Sequence, residues 1–334
     1  MAMDEKIDFV ITWVDNGDPK WRKEFEYYSA KDAKNINTKA CRYRDWGTLQ
    51  YWFRGVVKFA PWVNKIYFVT YGHLPKWLNV DHPKLQIVKH EDFIPKEYLP
   101  TFNSNVIEFY FHRIKGLSDR FVYFNDDTFL IDSVSPDRFF KDGLPCDIGG
   151  FSYIKSKGMF GCSVYRAVDL IKDHFKKKEV ISQNRSKWYS FEYPKVSLHN
   201  LLMYRQPVFT GFRYNHLPQG YLKSIYDDVW ASCREDLDWM SAHRFRTWGD
   251  ITSWLIRYWQ LASGRFTPYN IYKDGIYREI KDSDIDKIIR CIRNQEKRMI
   301  CLNDTNNIDF DVMKQKIQNA FEHILPEKSS FEKY

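Results

Sequence analysis

The chain has 334 residues, of which 44% are hydrophobic and 18% aromatic, and this excludes an intrinsically disordered chain because such chains lack apolar surface to bury. Its 51 lysines and arginines against 43 aspartates and glutamates give a formal net charge of +8. Because most of the basic residues are scattered, nucleic acid is not expected among the partners. A moderate positive charge also suits a protein that handles phosphates or rests on an anionic membrane surface.

The cysteines and the N-terminus indicate a reduced, intracellular protein. The six cysteines show no CxxC pair and no histidine spacing typical of a zinc site, so reduced and mostly buried thiols are expected. No signal pattern precedes Asp8, and no run approaches the roughly 18 apolar residues of a membrane span. The chain is therefore expected to be soluble and cytoplasmic, either free or at the inner face of the membrane. Its oligomeric state is not set by the sequence.

Short runs of β-branched and aromatic residues alternate with helix-like apolar spacing in the first 150 residues. The predicted strands are 7–14, 65–70, 85–90 and 120–124, and the predicted helices are 48–59 and 104–117. The first strand ends at Asp15 in a cluster of turn-forming residues, and the fourth ends at Asn125-Asp126-Asp127. This alternation predicts a parallel sheet, whose ligand crevice lies outside the carboxyl ends of its strands.

Beyond residue 147 the pattern becomes mostly helical. Further strands are predicted at 148–154 and 299–302, and helices at 167–178, 196–204, 222–231, 251–261, 284–293 and 312–324. There is no internal repeat and no low-complexity linker. We therefore predict an α/β protein in three segments: a core at 1–150, a variable insertion at 151–212, and a helical part at 213–334 that completes the site.

Asp126 and Asp127 are adjacent carboxylates at the exit of a hydrophobic strand. Two neighbouring negative charges are costly unless a cation offsets their repulsion, and such oxygen ligands suit Mg²⁺ or Mn²⁺ that hold phosphates. The alternative is structural, with Asn125 and Asp127 forming a helix cap or an Asx turn. Asp15 leaves another predicted strand and could line the same crevice, which favours the first interpretation.

Three features of the second half could add chemistry to this site. His216 lies in a constrained loop, and imidazole is well matched to accepting a proton near neutral pH, although a lone histidine is more often structural. Arg244 and Arg246 place two guanidiniums close together, and one could clamp a phosphoryl group while the other pairs at the surface. Asn303 and Asp304 form a second Asn-Asp pair at the exit of a predicted strand.

Four separated blocks of the sequence carry a family resemblance. The first is 7–15 (IDFVITWVD), the second runs from 42–45 (RYRD) through 112–114 (HRI) to 124–127 (FNDD), the third joins 216–218 (HLP) to 244–246 (RFR) and 250, and the fourth is 300–304 (ICLND). In this order they resemble the Stealth family, which includes bacterial capsular-polysaccharide phosphotransferases and the catalytic subunits of animal N-acetylglucosamine-1-phosphotransferase. Residues 150–212 show no such match, and acceptor specificity is expected there.

The resemblance implies a reaction and a fold. Hexose-1-phosphate or N-acetylhexosamine-1-phosphate would pass from a UDP-sugar to a hydroxyl of a glycan or sugar acceptor, with release of UMP. The first 150 residues would then form a nucleotide-sugar-binding sheet, Rossmann-like and similar to type A glycosyltransferases.

The resemblance also implies roles for individual residues. His216 would be the general base, with Arg246 as the phosphate clamp and Asp127 as a third catalytic residue. Asp127, Asn303 and Asp304 would bind Mg²⁺ or Mn²⁺. The substrate contacts would be Asp15, Arg42, Asp45, Arg113 and Asp126. Spacing does not decide between Asp126 and Asp127 as the metal ligand, or between Asp15 and His216 as the base, and Arg113 could instead be a structural partner of a carboxylate.

Two other functions fit parts of the sequence. A metal-dependent glycosyltransferase would use the same donor but cleave the sugar C1–O bond and release UDP. A non-catalytic carbohydrate-binding module would use the many tryptophans and tyrosines for stacking on sugars. The two Asn-Asp pairs argue against the second alternative, because a stacking platform does not need clustered carboxylates.

Overall fold

The computed structural model describes residues 6–32, 36, 43–214, 216–305 and 308–333, and it shows a mixed α/β protein. Its strands are β1 (Ile7–Trp13), β2 (Ile66–Thr70), β3 (Leu85–Lys89), β4 (Arg120–Phe124), β5 (Thr128–Leu130), β6 (Phe140–Lys141), β7 (Leu144–Asp147), β8 (Gln219–Leu222), β9 (Thr267–Pro268), β10 (Gly275–Glu279) and β11 (Met299–Asn303). Its helices are α1 (Pro19–Lys31), α2 (Leu49–Phe59), α3 (Ser104–Phe109), α4 (Gly158–His174), α5 (Lys177–Gln183), α6 (Arg185–Trp188), α7 (Pro194–Met203), α8 (Lys223–Ser232), α9 (Arg234–Ser241), α10 (Trp254–Ala262), α11 (Ile285–Arg293) and α12 (Phe310–Ile324).

The central sheet has five strands in the order β3-β2-β1-β4-β8. The first four are parallel, and β8 runs antiparallel to β4. Strand β1 has a parallel neighbour on each side and is buried except at the half-buried Thr12, which explains its nearly continuous apolar sequence. The strand order reverses between β1 and β4, and ligands of open α/β sheets bind outside the carboxyl ends of strands at such a reversal.

A second sheet joins the first part of the chain to its C-terminal part. It has the order β10-β11-β5, with β10 parallel and β5 antiparallel to β11. Helix α2 packs closely on this sheet at Gly55, where a β-carbon would lie 2.9 Å from the carbonyl oxygen of Leu130. The backbone N–H of Leu302 donates to the carbonyl oxygen of Asp127 at 2.8 Å, so the ends of β4 and β11 meet.

Most elements predicted from the sequence are confirmed. The first four strands, the 299–302 strand and the helices near 48, 196, 222, 251, 284 and 312 are present within a few residues of their predicted limits. The predicted mixed α/β class with a parallel sheet is therefore correct.

Other expectations are wrong. The helix predicted at 104–117 ends at Phe109 and is followed by a 3-10 turn at Phe111–Arg113, while 148–154 holds only a bridge between Phe151 and Phe212. The predicted helix at 167–178 is two helices, α4 and α5, separated by the extended Phe175. The helical part also contributes β8, β10 and β11 to the sheets, and the predicted segment limits at 150 and 212 stay predictions. Within the described ranges, no helix is both long and apolar enough to cross a membrane.

Candidate active site

A cavity of about 890 Å³ opens at the carboxyl ends of β1 and β4. This volume lies within the range of small-molecule sites, which is roughly 300–1,000 Å³. Thr12 and Trp13 from β1 line it, together with the residues that follow β4 and β11. The cavity is therefore at the reversal of strand order, where the fold predicts a ligand site.

Most of the residues predicted for the site lie together in this cavity. Those that line it are Asp45, Asp126, Asp127, His216, Arg246, Asn303 and Asp304. Among the described residues predicted for the site, Asp15 and Arg113 are the two that do not line it. Arg42 lies outside the described residues.

Asp15 and Arg113 make other contacts. The Asp15 carboxylate accepts a hydrogen bond from the Gly17 backbone N–H at 2.7 Å, an Asx turn of the kind that turn-forming residues favour. The exposed Arg113 holds its guanidinium 5.7 Å from the ring centroid of Tyr110. These positions do not support direct contact of either side chain with a ligand in the cavity.

Asp126 projects into the cavity, where its side chain is accessible to solvent. Burial of the site and repulsion from Asp127, Asp45 and Asp304 raise the pKa of its carboxyl group to about 8. The sequence-based inference that negative charges crowd together here is therefore supported by the geometry.

His216 is held at the cavity wall by a chain of hydrogen bonds that begins in the sheet. The hydroxyl of Thr12 lies 3.2 Å from that of Tyr123, and the Tyr123 hydroxyl donates to Asn125 Oδ1. The amide nitrogen of Asn125 in turn contacts His216 Nε2. Because that amide nitrogen can only donate, the chain favours a neutral His216 that accepts at Nε2 and carries its proton on Nδ1.

Asp127, His216 and Cys301 form a compact group of three potential metal ligands. Their ligand atoms all lie within 4.8 Å of one another. Asp127 Oδ1 is 3.6 Å from His216 Nε2, and the Cys301 thiol donates to Asp127 Oδ2 at 3.5 Å. Asp127 Oδ1 is buried and accepts no hydrogen bond from a described residue, as expected of an oxygen that awaits a cation or a substrate hydroxyl.

Asp304 is fixed by an arginine that the sequence analysis did not select. Arg44 donates from Nε to Oδ2 at 2.9 Å and from Nη2 to Oδ1 at 2.5 Å, and it also donates to the Thr305 carbonyl at 2.8 Å. The guanidinium lies 4.7 Å from the ring centroid of Phe310. Both oxygens of Asp304 are thus already paired, and the positive charge of Arg44 lies at the edge of the cavity.

Arg246 reaches the cavity from a loop that Asp250 organises. The buried Asp250 carboxylate accepts from the Thr247 backbone N–H at 3.0 Å and from the Asn103 amide at 2.9 Å. Arg246 donates to the Ser104 hydroxyl, and the carboxyl group of Glu108 is close enough to interact with its charge. This arrangement leaves a guanidinium facing the cavity opposite the acidic cluster.

Sequence reasoning missed several residues of the site. Arg44 is adjacent to Asp45, which the sequence analysis did select. Its role becomes apparent only from its ion pair with Asp304, which is distant in sequence. Burial raises the pKa of Glu108, which lines the cavity although its helical position resembled an ordinary core face. Cys301 was expected to be a structural thiol, since no local spacing connects it to His216.

Aromatic rings form much of the remaining wall. Trp21, Tyr43, Tyr71 and Phe102 line one side, with the ring centroids of Trp21 and Tyr43 5.4 Å apart. Tyr214, Trp254 and Tyr277 line the wall around His216. The cavity therefore combines flat apolar surfaces with charged groups of both signs.

Two family models match the first half of the chain. The family models described as Stealth protein CR1, conserved region 1, and Stealth protein CR2, conserved region 2, match residues 5–33 and 42–146. The third and fourth blocks stay predictions.

Relatives match along nearly the whole chain. It is 44% identical to a capsular polysaccharide phosphotransferase WcwK of Streptococcus pneumoniae, with 98% of both chains covered. It is 40% identical to the receptor polysaccharide phosphotransferase WefC of Streptococcus gordonii, covering 99% of this chain and 100% of the relative. It is 37% identical to the exopolysaccharide phosphotransferase cps2G of Lactiplantibacillus plantarum, covering 98% and 96%.

A solved structure of a WbbM bifunctional glycosyltransferase matches with a TM-score of 0.38 and 11% identity, covering 97% of this chain and 51% of that chain. A TM-score of this size supports no conclusion about function. The identities to the phosphotransferases decide the matter: this chain belongs to the Stealth family and is a phosphotransferase enzyme.

Proposed function

We propose that this enzyme transfers hexose-1-phosphate or N-acetylhexosamine-1-phosphate from a UDP-sugar to a hydroxyl group of a glycan, with release of UMP. The observation that supports it best is the meeting of His216, Arg246 and the carboxylates in one cavity at the reversal of strand order. The relatives named above are polysaccharide phosphotransferases, which supports a glycan acceptor for this chain. The parallel order β3-β2-β1-β4 supports a Rossmann-like sheet of the glycosyltransferase type A kind.

The proposed chemistry is an in-line displacement at the phosphorus that carries the sugar. The acceptor oxygen attacks this phosphorus, its hydroxyl group displaces the Asn125 amide from His216 Nε2 and passes its proton there, and the bond to the UMP oxygen breaks so that UMP leaves with the electron pair. Arg246 stabilises the negative charge on the phosphoryl oxygens. The sugar C1–O bond is never cut, so the anomeric configuration of the donor is retained.

A divalent cation is part of the proposal. We propose Asp127, Asn303 and Asp304 as its ligands, because all three line the cavity and Asp127 Oδ1 accepts no hydrogen bond within the described part of the chain. Asp304 would bind only while sharing its oxygens with Arg44. Mg²⁺ or Mn²⁺ would offset charge on the diphosphate.

The rest of the cavity would hold the donor. The aromatic side with Trp21 and Tyr43 is proposed for the uracil ring, since a planar base can pack against aromatic side chains. Asp45 and Asp126 are proposed to contact the donor or its cation. The basic Arg44 faces the same space and is an additional candidate for the diphosphate.

Replacement of His216 tests the reaction. His216→Ala should keep UDP-sugar binding in calorimetry while UMP release falls by about two orders of magnitude or more, as general-base losses do. His323→Ala on the exposed face of α12 is the matched control and should leave both unchanged. Normal turnover in His216→Ala would refute the assignment of the base.

Product analysis separates the proposal from its nearest alternative. Incubation with a panel of UDP-sugars and Mn²⁺ should give UMP and a phosphodiester-linked product. Release of UDP with no phosphate in the product would show a glycosyltransferase instead. Activity that survives exhaustive chelation would remove the metal from the proposal.

A further inference from the structure

The net positive charge of the chain comes mainly from one segment that has few acidic residues. Residues 151–212 contain eleven lysines and arginines but four aspartates and glutamates, a net charge of +7 out of +8 for the whole chain. From 193 to 213 there is no acidic residue at all. The rest of the protein is therefore almost neutral, and the segment presents a basic surface.

The same segment exposes a compact set of apolar side chains on helix α7. Leu198, Leu201 and Leu202 are 63%, 58% and 71% exposed, and Phe191 just before the helix is 99% exposed. The opposite face of α7 packs into the protein through Val196, Asn200 and Met203. The helix is thus anchored on one side and presents leucines to the surroundings on the other, which is a feature of interaction surfaces.

Lysines lie beside both ends of this helix. The buried Lys177 donates from Nζ to the carbonyl oxygens of Met203 at 2.6 Å and Gln206 at 3.0 Å. Because Lys177 makes these contacts, its neighbours Lys176 and Lys178 lie near the C-terminal end of α7. Both are exposed. Lys195 is exposed in the first turn of the helix. We call Phe191, Leu198, Leu201 and Leu202, with Lys176, Lys178 and Lys195, the α7 face.

We propose that the α7 face docks the enzyme on an anionic lipid bilayer. Leucine and phenylalanine side chains insert at the boundary between headgroups and acyl chains, and flanking lysines add attraction to anionic headgroups. A second copy of the chain is a poorer occupant, because a symmetric contact would bring the lysines of two α7 faces together.

The segment that carries the α7 face is connected to the wall of the active site. The bridge between Phe151 and Phe212 ties the segment to the chain that continues to Tyr214, which lines the cavity beside His216. A glycan acceptor carried on a lipid would then meet the enzyme at the bilayer surface. This consequence rests on the proposed function, whereas the docking itself does not.

Vesicle flotation tests the docking. The wild-type protein should float with vesicles of phosphatidylglycerol and phosphatidylcholine but not with pure phosphatidylcholine, and high salt should weaken the binding. Leu198→Glu with Leu202→Glu should lower the partition coefficient by about 100-fold, since each leucine contributes about tenfold or more. Lys176→Gln with Lys178→Gln should lower it by about 25-fold, at about fivefold for each charge.

The control variant carries the same added charge elsewhere. Tyr27→Glu with Val312→Glu changes exposed positions on α1 and α12 and should bind vesicles within about twofold of the wild type when corrected for charge. Circular dichroism melts check that each variant is folded.

Three results would overturn the proposal. The first is equal binding of the wild-type protein to neutral and anionic vesicles. The second is unchanged vesicle binding by the variant with Leu198→Glu and Leu202→Glu. The third is a protein that does not bind vesicles but forms a dimer in light scattering, when that dimer is lost in the same variant. The assay needs no donor, metal or acceptor, so its failure leaves the proposed reaction untouched. An enzyme that binds vesicles but releases no UMP from any UDP-sugar would refute the proposed function alone.

Discussion

The buried ion pair of Arg257 and Asp147 gives the sharpest stability prediction. Arg257 on α10 donates to both oxygens of Asp147 at 2.7 Å, and the two side chains are 5% and 1% exposed. A further guanidinium N–H donates to the Arg213 carbonyl at 2.7 Å, and the Ile148 backbone N–H donates to Asp147 at 2.7 Å. The pair therefore ties β7 to α10 and to the chain that leads into the active site.

Arg257→Met keeps much of the side-chain volume but leaves the Asp147 carboxylate buried without its cation. Breaking a buried pair in this way costs about 3–5 kcal/mol of unfolding free energy. At about 2.1 cal/mol/K of unfolding entropy per residue, a chain of 334 residues loses roughly 4–7 °C in Tm. Because the lost bond to Arg213 lies three residues before His216, turnover should fall as well.

A double-mutant cycle checks the reasoning. Asp147→Leu in the Arg257→Met background removes the stranded charge and should recover most of the lost stability, since apolar replacement of a whole buried pair is often nearly neutral. Chemical unfolding and thermal melts of the single and double variants provide the measurement. Additive losses, or a Tm change under 2 °C for Arg257→Met, would refute the claim that the unpaired carboxylate causes the effect.

Three further predictions concern the metal ligands and pH. Zn²⁺ should inhibit the enzyme by binding to the cluster of Asp127, His216 and Cys301. Co²⁺ bound there should show a thiolate absorption band that disappears in Cys301→Ser but not in the buried control Cys291→Ser. Asp304→Asn should raise the Mn²⁺ concentration needed for half-maximal activity, whereas Arg44→Met should mainly raise KM for the donor. If both variants raise the required Mn²⁺ concentration equally, Asp304 is not a metal ligand. Burial lowers the pKa of His112 from 6.5 to about 4, so the unfolded chain takes up this proton at a higher pH than the folded chain does. The free energy of unfolding should therefore fall as pH drops from about 7 to 5, and this fall should be shallower in His112→Gln. A pH profile of stability that is unchanged by the substitution would reject the assignment.

The sequence predicts the site well where the signal is local. The run 120–124 is apolar because β4 is buried between two strands, and Asp126 and Asp127 follow it because a parallel strand delivers the next residues to the ligand edge. The same logic holds at β11 and Asn303. Chain direction and burial alone place these side chains in the cavity, so periodicity was sufficient to find them.

Other parts of the site depend on distant contacts that periodicity cannot show. Arg44 and Asp304 are 260 residues apart, and they meet where Asp304 follows β11 in the second sheet, on which α2, the helix after Arg44, packs. Asp15 illustrates the opposite case, since it leaves β1 at the correct edge but turns back onto the Gly17 backbone. A residue at the end of a strand thus reaches the ligand only if no nearer hydrogen-bond partner is available.

This difference explains why the acidic cluster is easier to predict from the sequence than the residues around it. Asp126 and Asp127 are neighbours in sequence, so their repulsion exists in any fold that buries their strand. Arg44, Arg246 and Cys301 come from separate elements, and their charge or thiol acts on the cluster only in the assembled structure. Variants of the carboxylates should therefore alter cation dependence directly, while variants of Arg44 and Arg246 should act mainly on the binding of the donor and on the charge of its phosphates.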